Sequence, residues 1–169
     1  MIEAYRARCR AARNTAFQKC VEELSPKLGA VFALGECGER ALVAVAEQWK
    51  NRRPETEWDW REILRRHHDP DRMAMAIWSG ERLSCLALGL TTSEAVELRF
   101  LEGDPRTDCP LIRKRALIAL DASARYAQLL GRAELRVSPI NSKIEALCEG
   151  LKFESRTSDN GSQLWVRRV

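Results

Sequence analysis

The spacing of apolar residues changes period twice along this chain, and that change restricts the fold more than any single motif. Residues 2–24 carry Ile2, Tyr5, Cys9, Ala12 and Ala16 at three- and four-residue intervals, continued by Phe17, Cys20, Val21 and Leu24. This is the stripe of an amphipathic helix, which Ser25-Pro26 is expected to end. After a short apolar strand at 31–34, helical spacing returns over 39–50 and 58–67. The period then becomes two. Apolar runs at 73–78 and 83–90 flank Ser79-Gly80-Glu81, a hairpin pattern, and a turn at 91–94 leads into 95–101. There Val96, Leu98 and Phe100 are expected on one face, with Glu97 and Arg99 on the other. Helical spacing resumes over 110–130, with Gly131 suited to the C-terminal cap. A strand at 134–137 follows, then a helix opened by the capping box Ser142-x-x-Glu145. A last hairpin turns at 158–161.

No linker or repeat interrupts this series, so 1–169 reads as one α/β (α+β) domain. A hydrophobic share of 45% with 31% charged residues is enough to build a core. No apolar run reaches the roughly 20 residues that span a bilayer, and the first residues are charged, so a cytoplasmic protein without membrane contact is expected. The six cysteines form no C-x-x-C pair and mostly sit in apolar contexts, which suits reduced core thiols. His67 and His68 are adjacent and would not share a helix face, so no metal site is expected.

The net charge of +4 is concentrated at the N-terminus. Arg6, Arg10 and Arg13 fall together, opposite the apolar stripe. They suit either a solvated face or contact with a polyanion such as nucleic acid.

The order strand, helix, helix, three-strand meander, long helix, strand, helix, hairpin resembles the GNAT acyltransferase superfamily over residues 30–169, with 1–27 as an added N-terminal helix. The second half carries the sharper match. The family commonly shows A-x-x-x-G, a strand, then N-x-x-x-x-x-L-Y-x-x-x-G-F. Here Ala127, Gly131, the strand 135–137, Asn141, Leu147, Cys148 and Phe153 fall at those spacings. Cys148 replaces the tyrosine and Lys152 the glycine.

The resemblance implies a central mixed, mostly antiparallel sheet flanked by helices, and an acyl-CoA co-substrate, acetyl-CoA or another. It implies transfer to an amine on a small molecule, a protein or a nucleic acid; a homodimer is also compatible with it. The family binds the coenzyme pyrophosphate with R/Q-x-x-G-x-G/A, which here falls on residues 111–116. Only Ala116 fits. Arg113, Lys114 and Arg115 stand in a degenerate loop, where they either supply charge to phosphate or leave an inactive binding module. By resemblance, Asn141 borders the cofactor and backbone N–H groups near Leu101 polarise the thioester carbonyl. Glu97 and Glu102 are candidate bases. Cys148 is either an acid for the departing thiolate or a core residue on the face of Ile144. Trp58 and Trp60 bracket Asp59 on the acceptor side, where they either stack on substrate or anchor a short helix.

Overall fold

The computed structural model describes residues 1–54, 57–138 and 142–169. Among these described residues, five helices and seven strands follow in the order α1 (Ile2–Leu28), β1 (Ala33–Gly35), α2 (Glu39–Gln48), α3 (Trp60–Arg66), β2 (Met73–Ser79), β3 (Arg82–Thr91), β4 (Ala95–Gly103), α4 (Arg115–Leu129), β5 (Glu134–Val137), α5 (Ser142–Gly150), β6 (Glu154–Thr157) and β7 (Gln163–Arg168). The strands form one sheet, ordered β1-β2-β3-β4-β5-β7-β6. Every pairing is antiparallel except β4 with β5. That parallel pair requires a crossover, and α4 supplies it.

The apolar patterning divides the sheet into two faces. Met73, Met75, Ile77, Val96 and Leu98 pack with residues of α1, α4 and α5. Ala74, Ala76, Leu86 and Leu88 pack with α2, α3, Trp49 and Trp60 on the other side.

Three expected boundaries shift. Helix α1 runs through Ser25-Pro26 to Leu28, because a proline in the last turn forfeits only one donor. Gly29 ends it in the left-handed region at φ 59°, with Ala30 N–H donating to Ser25 O. Helix α4 starts at Arg115 rather than near residue 110; the preceding segment is tied into turns by Ile112 N–H to Cys109 O and Lys114 N–H to Leu111 O.

The third change is the one that shapes the site. Leu88 pairs with Phe100 but Gly89 pairs with Leu98, so Arg99 is an extra residue in β4. A bulge of this kind restarts the alternation. Phe100 therefore joins the α2–α3 face, not the face of Val96 and Leu98 where simple alternation placed it. Gly89 lies opposite, where a Cβ would come within 3.2 Å of both Glu97 O and Val96 Cγ1.

Candidate functional site

Strands β4 and β5 pair only from Ala95↔Glu134 to Leu98↔Val137, and Ser138 N–H closes the ladder on Leu98 O at 3.1 Å. Among the described residues, 99–103 of β4 continue without a β5 partner. Asp104 N–H donates back to Ser84 O of β3. Alternation from that bond turns the backbone groups of Leu101 and Gly103 toward the open side. The sheet thus parts beside the bulge, and the amide of Leu101 borders the opening.

The bulge also decides which side chains flank that opening. Glu97 and Glu102 would lie on opposite faces of a regular strand. The extra residue brings both to the α2–α3 face, with Phe100 between them. Glu97 is 9% exposed; Ser138 Oγ donates to it at 2.8 Å and Arg99 Nε at 3.2 Å. Glu102 is 3% exposed and takes four hydrogen bonds, from Arg52 Nε and a terminal Arg52 nitrogen, Trp58 N–H and Trp60 Nε1. Its lone pairs are committed to anchoring the segment between α2 and α3. Trp60 is buried as part of that anchor. Trp58 is half-buried and stands edge-on to Phe100, ring centroids 5.0 Å apart, while His67 tilts against the same ring at 5.7 Å.

The segment between β4 and α4 is organised by Asp104, which is 1% exposed. Arg82 Nε and Arg106 reach its carboxylate at 2.8–2.9 Å. Burial alone would raise this carboxyl, but the bonds from Arg106 and Arg82 outweigh burial and hold it below the ordinary range. Arg115 donates to Asp104 O at 3.0 Å and lies flat against Gly103, where any Cβ would strike its guanidinium. Arg113 takes φ 77°, the left-handed conformation that glycine adopts most cheaply. The motif's expected glycine position is Lys114, so the glycine-like backbone occurs one residue earlier. Lys114 caps α4 without a side-chain bond, and the first turn of α4 contains no acidic residue. Arg115 N–H is taken by Leu111 O at 3.0 Å, so the amides left at the positive end of the helix dipole are those of Ala116 and Leu117.

Cys148 is fully buried in the cluster that contains Ile144, Phe153 and Trp165, and burial pushes its thiol up to about 11. Lys152, at the family's glycine position, has φ 64°, and Phe153 N–H closes on Cys148 O at 2.9 Å. The backbone keeps the glycine's conformation although the residue has changed. Asn141 and the side chain of Ser142 lie outside the described residues. The arginine row of α1 does not hold together. Arg6 and Arg10 are exposed, but Arg13 turns inward, donating to Pro70 O at 2.9 Å and lying over Tyr126.

Arg52, Asp104, Arg106 and Ser138 were not singled out by the sequence, and His67 was weighed only as a metal ligand. Asp104 and Arg106 alone carried a local signal, two opposite charges directly after a strand. The others come from distant segments.

Comparison with solved structures finds the same fold. The ribosomal-protein-S18-alanine N-acetyltransferase from Escherichia coli superposes with a TM-score of 0.61 at 13% identity, covering 82% of this chain and 94% of that one. The PaiA N-acetyltransferase from Thermoplasma acidophilum, in complex with coenzyme A, gives 0.55 at 13% identity, covering 82% and 99%. The GNAT domain of S. lividans PAT gives 0.61 at 13% identity, covering 80% and 89%. No family model and no curated protein matches by sequence. The chain has the GNAT N-acetyltransferase fold.

Proposed function

We propose that this protein is an acyl-CoA-dependent N-acyltransferase, with acetyl as the acyl group and an amine as acceptor. The observation that carries the reading is the opening between β4 and β5, bordered by the Leu101 amide, with an α4 N-terminus that has no side-chain cap in the connection that follows β4.

The residues present suit acyl-CoA. The amides of Ala116 and Leu117 and the charges of Arg113 and Lys114 would hold its phosphates, with the left-handed turn at Arg113 presenting the helix end. Bound acyl-CoA supplies an activated thioester, and transfer forms a C–N bond as the C–S bond breaks. The Leu101 N–H stabilises negative charge developing on the carbonyl oxygen. Glu97 accepts the proton lost by the ammonium acceptor, and Ser138 and Arg99 fix its orientation. Glu102 acts through position, holding the α2–α3 segment against β4. Cys148 packs the core, and the second proton, lost by the nitrogen as the amide forms, passes through water to the departing sulfur.

One observation favours an inactive binding module instead: Arg115 covers Gly103 in a loop without the family's glycines. The inward turn of Arg13 removes support for the nucleic-acid reading. Calorimetry with acetyl-CoA, followed by mass-spectrometric detection of acetylated amines, separates these. Binding with transfer supports the enzyme; an absence of both leaves the binding module.

A further inference from the structure

We infer that the acceptor is a monoamine carried on an aromatic or similarly flat apolar group, rather than a polyamine or another polycation; this rests on the acyltransferase reading above. The surface beside Glu97 on the α2–α3 face is built from half-buried apolar rings. Phe100 follows Glu97 across the bulge on the same face, Trp58 meets it edge-on, and His67 tilts against its other side. Leu90, the cross-strand partner of Glu97, is also half-buried and packs with the same cluster. A flat substituent placed here gains contact with rings that are only half-buried.

The charge balance points the same way. Recognition of a polycation calls for several carboxylates without cationic partners. Glu97 is shared with Arg99, while Glu102 and Glu57 both engage Arg52. A second ammonium placed against Glu97, Glu102 or Glu57 would therefore meet arginine as well, and Asp59 beside Trp58 is a single carboxylate already bonded to Glu62 N–H as the cap of α3. Trp58 adds a further feature. Its backbone is clamped at both ends, N–H to Glu102 and carbonyl to Arg52, but its buried indole N–H finds no partner among the described residues. The ring is thus a wall of fixed position that no hydrogen bond locks in orientation, which suits adjustment around a bound ring.

The test compares 2-phenylethylamine, spermidine and putrescine as acceptors for the full chain at saturating acetyl-CoA. Product formation is followed by mass spectrometry, and acetyl-CoA affinity is measured separately by calorimetry. The expected result is a kcat/KM for 2-phenylethylamine at least about tenfold above that for either polyamine. Phe100→Ala should lower the 2-phenylethylamine value by about tenfold or more and leave acetyl-CoA affinity unchanged, with Phe100→Leu intermediate and folded as judged by thermal melting. A preference for spermidine, or an equal loss on all three amines in both Phe100 variants, overturns this inference and leaves N-acyl transfer standing. Failure to bind acetyl-CoA overturns the transfer reading itself, and this inference with it.

Discussion

Glu102 grips Arg52 through both carboxylate oxygens, at 2.7 and 2.6 Å, with the carboxylate side chain 2% exposed and the guanidinium 17%. This buried pair joins the middle of the sheet to the segment that carries Trp58 and Trp60. Removing one partner leaves the other charge buried and uncompensated. Glu102→Ala should therefore cost about 3 kcal/mol in chemical denaturation. Trp60 fluorescence should report the loosened segment.

Glu97 predicts the complementary pattern. Glu97→Gln keeps the shape and the bond from Ser138 but cannot accept a proton. Its kcat/KM should fall by about 10²–10⁴ with melting temperature and acetyl-CoA affinity unchanged. A Glu102→Gln variant with the larger catalytic loss and intact stability would reverse the two assignments.

At Arg113 a side chain is held at φ 77°, where the left-handed backbone costs about 1–2 kcal/mol. Arg113→Gly removes that strain, partly offset by the greater freedom of glycine in the unfolded chain. Unfolding should show a gain of up to about 1 kcal/mol. If Arg113 also supplies charge to phosphate, calorimetry should show weaker acetyl-CoA binding in the same, more stable protein.

Asp104 links the β4–α4 connection to pH. Its folded carboxyl lies below the ordinary value, so the stability it contributes is fully present above the unfolded value of about 3.9. That contribution is lost as pH falls through the lower folded value. Asp104→Asn should cost about 1–3 kcal/mol at pH 7. The difference from the parent should shrink below about pH 4 in acid-unfolding curves.

Cys148 should behave as a packing residue. With its thiol at about 11 and no surface exposed, alkylation by iodoacetamide at neutral pH should be slow until the chain unfolds. Cys148→Ala should retain activity, while Cys148→Tyr should overpack the cluster of Ile144, Phe153 and Trp165 at about 1–3 kcal/mol.

Local rules determined much of this molecule. The two periods of apolar spacing specify which segments are helix and which are strand, and the parallel β4–β5 pair follows from a long helix between two strands. The spacing from Ala127 to Phe153 sets the register so well that Lys152 adopts the backbone of the glycine it replaces. Helix ends were less legible, because a proline in a last turn and a glycine-free turn both depend on which donors the surroundings satisfy. The site itself was decided by tertiary structure. An extra residue in β4 is visible only against the register of β3, and it places Phe100 and Glu102 on the face of Glu97. Arg13 looks like a surface charge from its helical position, yet the carbonyls of Pro70 and Arg72 draw it inward. Arg52 finds Glu102 across 50 residues of chain. Periodicity describes how one segment presents its side chains. Which partners each carboxylate meets depends on contacts that only the packed sheet brings within reach.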